Sequence, residues 1–287
     1  MTSGRASSQL FSSEAVFRVS LHPYPKNHIR SPFRYLIAIM RILSYWIFPV
    51  LSGLMWLGML LGMLIYWIVD EKRIVYPSMT PPQTIAYISD VGAYELKPLF
   101  IAGCVITVIF LDLSFFSDCW LRHTGRLAPN TSRGQKILFG LSIFWAIVGT
   151  VGLICLSIFD TYRHDNLHLM FLGFFIIGYL LSAIFICWEY QRLGMRYREH
   201  RVLAASFWVK LIFIIVEIGL AIPFVVLQKL KRNNEAAIIE WVIAFVFSFY
   251  VFSFIIDLWP AMRTRDKTAR FSKPGLREMS STSPPNF

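Results

Sequence analysis

Charged residues are scarce in this sequence: Asp, Glu, Lys and Arg make up only 16% of the 287 residues, whereas 56% are hydrophobic. A soluble domain typically carries about a quarter charged residues and under half apolar ones. The apolar residues also form runs of about 20, the length that a helix needs to cross a bilayer. This composition excludes an ordinary soluble protein and indicates an integral membrane protein.

Three other features are scarce or missing. No cleavable signal peptide is recognised, since the first apolar run starts near Tyr45 after a basic stretch containing Ser and Pro. None of the four cysteines lies in the longest loop, which argues against a disulfide framework. No internal repeat of the kind found in many secondary carriers is visible. We therefore expect the first span to be a signal anchor that is retained.

The apolar runs predict an all-α fold, a six-helix transmembrane bundle with a long first loop between the first two spans. We expect a disordered basic tail over 1–44, the transmembrane domain over 45–260 and a disordered basic tail with Ser and Pro over 261–287. The predicted spans are Trp46–Val69, Pro98–Phe116, Ile137–Ile158, Leu169–Trp188, Ala204–Leu227 and Ala236–Trp259.

The distribution of Lys and Arg predicts the orientation. Twenty lie in the two tails and the even-numbered loops, against seven in the odd-numbered loops, so both termini are expected in the cytosol. The glycosylation sequon at Asn130 then falls in a cytosolic loop and should be unused. This topology and contacts with anionic lipid account for the net charge of +11, and no nucleic-acid partner is expected. We also expect no cofactor.

Asp112, Lys210 and Glu217 lie inside the predicted spans, where charge is costly and such residues are functional candidates. Asp112 and Lys210 have similar depths and predict an ion pair, while Glu217 lies on the same helix face as Lys210 but deeper. The set is either a proton or ion relay, as in a transporter, or a structural pair that orients helices.

A second set of polar residues belongs to the predicted outer face. It comprises Asp90, Glu95, Asp160, His164, Asp165, His168 and Glu240. The spacing of His164 and His168 suits two metal ligands on one helical turn, although the identity of any metal stays open. The set either serves chemistry on lipids or forms a hydrogen-bonded closure of the bundle. The first loop is correspondingly either a lid or a packed cap.

Two other residue types have alternative interpretations. Cys119 and Cys187 lie at predicted cytosolic helix ends, where palmitoylation or simple packing would each explain them. The pairs Gly58 with Gly62 and Gly149 with Gly152 predict close helix packing.

Three motifs resemble those of the DRAM/FRAG/SFK membrane family, which includes the CWH-type N-terminal domain. The first is Ile88-Ser89-Asp90-Val91-Gly92-Ala93, followed by an acidic residue and Lys97-Pro98-Leu99-Phe100. The second is Ser157-Ile158-Phe159-Asp160 with His168 a few residues on, and the third is Glu240-Trp241. The similarity covers about Tyr45 to Pro260 and is nearest to the fungal SFK branch. The matching positions are Asp90, Gly92, Asp160, His168, Glu240 and Trp241.

The resemblance implies several roles. SFK-like members imply a plasma-membrane regulator tied to phosphatidylinositol 4-kinase and lipid asymmetry, FRAG-like members imply GPI-anchor lipid remodelling, and DRAM-like members imply a lysosomal role in autophagy. We expect a non-enzymatic regulator of phosphoinositide and lipid organisation, whose basic cytosolic segments contact anionic phosphoinositides and a lipid-kinase complex. The alternatives are a GPI-lipid remodelling factor that uses the outer-face set, or an autophagy-related protein or transporter. The compartment, plasma membrane or endomembrane, stays open, and the resemblance transfers no catalytic residues.

Overall fold

The computed structural model describes residues 45–123, 127, 133–196 and 201–259, and its regular secondary structure in those ranges is helical. The tails and the Asn130 sequon lie outside the described residues. The helices are α1 (Ile47–Ile65, continued by a π-helical turn, Tyr66–Asp70), α2 (Ile88–Val91), α3 (Lys97–His123), α4 (Arg133–Ile158), α5 (Asp165–Arg196), α6 (Arg201–Lys229) and α7 (Asn233–Leu258).

Six of these helices are long and apolar enough to cross a membrane, which confirms the predicted six-helix bundle. A helix suits the bilayer because it satisfies its own backbone hydrogen bonds where no water is present. Two helices continue well beyond their apolar runs: α3 reaches His123 rather than Phe116, and α5 reaches Arg196 rather than Trp188. These extensions bring additional charged residues into the bundle.

The long helices form a closed ring. Each packs against the next along the chain, from α1 to α3, α4, α5, α6 and α7, and α7 packs back against α1. Large side chains fill the interior, where Leu60, Leu111 and Val251 are fully buried and Trp56 donates its indole N–H to the Ala244 carbonyl at 2.8 Å. Burial of these side chains stabilises the ring through close packing.

Glycines allow α4 and α5 to approach closely. A Cβ at Gly178 would lie 2.4 Å from the Gly149 backbone nitrogen, and one at Gly152 would lie 2.5 Å from the Phe175 nitrogen. The packing role predicted for Gly149 and Gly152 is therefore confirmed. The same prediction is wrong for Gly58, since a Cβ there meets nothing within 4 Å on the exposed face of α1.

The first loop, residues 71–96, packs over one end of the ring, here called the first-loop end. Its short helix α2 is buried along its whole length, together with Tyr76, Met79 and Ala86. The start of α7 holds the loop: Asn234 Oδ1 accepts the backbone N–H groups of Thr84 and Ile85 at 2.8 and 2.9 Å. Of the two interpretations of this loop, the structure supports a packed cap.

Candidate functional site

A polar cleft of about 480 Å³ lies at the first-loop end, between the first loop and the adjoining ends of α5, α6 and α7. We call it the first-loop cleft. Four predicted outer-face residues line it, Asp90, Asp165, His168 and Glu240. Other polar residues that line it are Ser78, Gln83, Tyr87, Ser89, Thr161, Tyr162, Gln228 and Asn233. Asp90, His168 and Glu240 are remote in sequence, so the fold assembles them from three separate motifs.

Asp90 is the most enclosed carboxylate of the first loop, with 3% of its surface exposed. It accepts hydrogen bonds from the Ser78 hydroxyl at 2.7 Å, the Tyr87 backbone N–H at 3.0 Å and the Gln83 amide at 3.4 Å. Burial raises the pKa of this carboxyl above that of an ordinary aspartate, and the three hydrogen bonds act in the opposite direction. Asp90 therefore shapes the loop while also lining the cleft.

Glu240 and Trp241 position α2 over the ring from the start of α7. Glu240 accepts the Ile88 backbone N–H at 2.8 Å, and the Trp241 indole donates to the Ala86 carbonyl at 3.0 Å. These bonds satisfy backbone groups that are otherwise withdrawn from water. Glu240 lines the cleft, whereas Trp241 contributes by holding the loop.

His168 is 2% exposed and combines a structural contact with a free ring nitrogen. Its Nδ1 lies 3.0 Å from the Leu156 carbonyl and 2.9 Å from the Phe159 carbonyl, so Nδ1 carries the proton and donates. Leu156 lies in the last turn of α4, whose final carbonyls have no partner within the helix. Among the described residues we find no hydrogen-bond partner for Nε2, and His168 lines the cleft.

An apolar cavity of about 80 Å³ lies deeper in the bundle and shares Ser89, Leu172 and Glu240 with the cleft. All six long helices contribute to its walls, which include Trp56, Phe100, Leu153, Phe175, Tyr179, Phe213, Ala221 and Phe247. Glu217 is the other acidic residue in its lining, and its Oε1 is buried with no hydrogen-bond partner among the described residues. A polar cleft and an apolar cavity thus lie next to each other.

Other members of the predicted outer-face set support the structure around the cleft. Asp160 pairs with Lys97 at 2.5 Å and accepts the Arg163 backbone N–H at 2.7 Å. Burial opposes ionisation of Asp160, but these hydrogen bonds and nearby cations hold its pKa below the ordinary value. A Cβ at Gly92 would lie 2.7 Å from the Phe100 ring, so this glycine lets the loop approach α3.

The predicted pair of histidine metal ligands does not form a metal site in the described part of the chain. His164 is exposed and packs edge-on against Phe159, while the His168 Nδ1 is engaged by carbonyl groups. No group of three or more His, Cys, Asp or Glu residues within the described ranges is arranged to hold a metal ion. Helical spacing alone does not determine where two ring nitrogens point.

The predicted Asp112–Lys210 ion pair is wrong. Asp112 accepts from the Thr150 hydroxyl at 3.1 Å, whereas Lys210 pairs with Asp257 at 2.5 Å and donates to Ser206 at 2.9 Å. The sequence analysis overlooked Asp257, which lies near the end of the sixth predicted span. Lys210 and the Asp257 side chain are fully buried, at the ring end opposite the first loop.

The extended ends of α3 and α5 add further charge to the Lys210 region. Arg122 bonds to Asp118 at 2.7 Å and lies 3.9 Å from Glu189, all three being buried. Arg122 and Lys210 both face the Tyr190 ring, at 5.0 and 4.7 Å from its centroid. Sequence reasoning missed Asp118, Arg122 and Glu189 because they lie just outside the apolar runs, although the i, i+4 spacing of Asp118 and Arg122 on α3 was a visible signal.

The two predicted modification sites have different surroundings. Cys119 is partly exposed on α3. Cys187 is buried, and its thiol faces the Phe207 carbonyl at 3.8 Å. The environment of Cys187 fits the packing interpretation, and Cys119 is the more accessible of the two thiols.

The family model described as the Frag1/DRAM/Sfk1/Cwh43P N-terminal domain matches residues 44–261. Protein sfk1 of Schizosaccharomyces pombe is 34% identical over 219 residues, which cover 75% of this chain and 64% of that protein. Protein SFK1 of Saccharomyces cerevisiae is 28% identical over 189 residues, or 56% of this chain and 53% of that protein. The chain thus matches less than two thirds of each relative, and no solved structure matches it significantly.

The contacts of Lys210 predict that Asp257→Asn destabilises the protein by about 3–5 kcal/mol, because it leaves a buried ammonium without its counter-charge. The double variant Lys210→Met with Asp257→Leu should recover most of this loss, since it removes both charges. Asp112→Asn is the matched control and should cost far less, because Asp112 has no cationic partner among the described residues. Thermal unfolding of the detergent-solubilised protein measures all three, and an equal loss for Asp112→Asn would contradict the assignment.

Proposed function

The chain belongs to the Frag1/DRAM/Sfk1/Cwh43P N-terminal domain family, in its SFK branch, and we propose that it binds a membrane lipid and regulates lipid organisation without catalysing a reaction. One observation carries this proposal. The polar first-loop cleft and the apolar cavity share three lining residues, so a polar space adjoins an apolar one. An amphipathic molecule fits this pair of spaces, because its polar part can lie in the cleft and its apolar part in the cavity. Apolar walls with a few polar groups are characteristic of ligand sites.

The size of the cavity indicates how such a lipid is held. A volume of about 80 Å³ suits a few methylene groups at the end or branch of a chain, not a whole lipid. The larger cleft, about 480 Å³, has room for a headgroup. We propose that the headgroup occupies the cleft and that one chain enters the cavity while the rest of the lipid stays in the bilayer.

The orientation follows from the charge distribution. The excess of Lys and Arg in the tails and even-numbered loops supports a topology with both termini in the cytosol. In that topology the first-loop cleft faces the lumen or the cell exterior. The plasma membrane and the endomembrane system are the proposed locations, as the family resemblance implies.

The basic tails support a second part of the proposed role. The six Lys and Arg residues over 263–287 would attract anionic phosphoinositides at the cytosolic surface, each contributing about 1 kcal/mol. Together with the resemblance to SFK-like members, this charge supports a link to phosphatidylinositol 4-kinase. The protein would thereby connect a lipid bound on one face with phosphoinositide signalling on the other.

One specific observation favours a second candidate function, GPI-lipid remodelling. His168 lines the cleft together with Asp90 and Glu240, and no described residue pairs with its Nε2, a nitrogen that can accept a proton from a reacting hydroxyl or water. The candidate thus uses the same bound lipid, with His168 as a general base.

Filling the cavity should remove the bound lipid. Ala221 lines the cavity, so Ala221→Trp would occupy the space that a chain takes, whereas Ala205→Trp adds the same bulk on the exposed face of α6. Native mass spectrometry of the purified protein should show bound lipid in the Ala205→Trp protein and at least a tenfold lower occupancy in the Ala221→Trp protein. Equal occupancy in the two variants would contradict the proposal.

If the basic C-terminal tail attracts anionic lipid as proposed, replacing its six Lys and Arg residues over 263–287 with Gln should reduce the recruitment of phosphatidylinositol 4-kinase to membranes. The control is a scrambled tail of identical composition, which should preserve recruitment because it retains the charge. Fluorescence microscopy of the kinase measures the outcome. Normal recruitment by the Gln tail would refute an electrostatic role.

His168→Asn separates regulation from catalysis. Its amide nitrogen can replace Nδ1 as the donor to the Leu156 and Phe159 carbonyls, but it removes the proton-accepting Nε2. The non-enzymatic proposal predicts that GPI-lipid composition and lipid occupancy remain unchanged, which lipid mass spectrometry measures. Loss of GPI-lipid remodelling with unchanged folding and occupancy would instead establish the enzymatic candidate.

A further inference from the structure

We infer that the first-loop cleft selects lipids whose headgroup carries an ammonium group. This inference rests on the proposed lipid-binding function and adds the chemical class of the ligand. The cleft lining contains three carboxylates, Asp90, Asp165 and Glu240, and none of the described residues in that lining is Lys or Arg. A cationic group would therefore meet attraction from several directions at once.

The carboxylates of the cleft lack cationic partners in the described part of the protein. The donors to Asp90 are a hydroxyl, a side-chain amide and a backbone N–H, and Glu240 accepts the Ile88 backbone N–H. Withdrawing a carboxylate from water is costly unless a positive charge compensates it. Asp160 provides the contrast. It belongs to the same predicted outer-face set, but it pairs with its own cation, Lys97, and it does not line the cleft.

One buried group with unused hydrogen-bonding capacity points independently to a ligand. His168, 2% exposed, lines the cleft, and among the described residues we find no hydrogen-bond partner for its Nε2. Buried polar groups are normally paired, so this acceptor nitrogen is available to a hydrogen-bond donor of a ligand in the cleft.

The remaining walls suit an ammonium group rather than a phosphate. Tyr87 and Tyr162 supply aromatic rings beside the carboxylates, and aromatic faces attract ammonium ions, including methylated ones. A phosphate bound without an ammonium group would face three carboxylates and no cationic side chain from the described lining. Headgroups that pair a phosphate with an ethanolamine or choline can place the ammonium in the cleft and leave the phosphate toward its mouth.

The test compares lipids that share acyl chains and differ only in their headgroups. Purified full-length protein is titrated with phosphatidylethanolamine, phosphatidylcholine, phosphatidylglycerol and phosphatidic acid, and occupancy is read by native mass spectrometry. We expect the two ammonium lipids to bind at least tenfold more tightly than the other two. A preference between ethanolamine and choline would show whether the headgroup must donate hydrogen bonds, and either preference supports the inference.

Variants connect the selectivity to the cleft. Glu240→Gln keeps an oxygen that can accept the Ile88 N–H, and Asp165→Asn changes an exposed residue, so both should fold. Together they should reduce the ammonium preference at least threefold, whereas the control Asp112→Asn, which contacts Thr150, should leave it unchanged. The melting temperature of each variant verifies its folding.

The failures of the two proposals are distinguishable. Equal binding of all four lipids, or tighter binding of the anionic ones, overturns the ammonium assignment while preserving lipid binding. If the double variant Glu240→Gln with Asp165→Asn keeps the full ammonium preference, the placement of the headgroup in the cleft is overturned. Absence of binding for every lipid, with no difference between Ala221→Trp and Ala205→Trp, overturns both proposals.

Discussion

The first-loop cleft depends on the attachment of the first loop to the start of α7. A ring of six helices leaves an open end, and here Asn234, Glu240 and Trp241 hold α2 over that end through backbone groups of the loop. Because these bonds engage main-chain atoms, the loop cannot shift without exposing unpaired N–H and C=O groups. The cleft lies between this fixed loop and the adjoining end of α5.

Buried charged side chains lie at both ends of the bundle, but their partners differ between the two ends. At the end opposite the first loop, Lys210 and Asp257 neutralise each other, and Arg122 lies against Asp118. At the first-loop end, Asp90 and Glu240 meet neutral donors and line open space. Paired buried charges hold helices in place, whereas carboxylates without a cation are suited to meeting one that arrives from outside.

The span number could be predicted because a bilayer imposes a minimum length on every apolar run, and the order of the predicted spans correctly placed Asp90, His168 and Glu240 at one end. Pairing between helices could not be predicted, because the partner of Lys210 depends on helix rotation, which similar depth does not determine. Gly58 and Gly149 have similar sequence surroundings, yet only Gly149 faces another helix. The cavity could not be predicted either, because it depends on how side chains from six helices pack around a shared space.

His168 completes the last turn of α4 through Nδ1 and also lines the cleft. One ring therefore meets two separate requirements, and the folding requirement persists even in a protein that no longer binds anything. A histidine at this position in a relative is consequently poor evidence that the relative shares a ligand. The same holds for Asp90 and Glu240, because both accept backbone N–H groups at the start of α2 and the loop needs those bonds whether or not a ligand is bound.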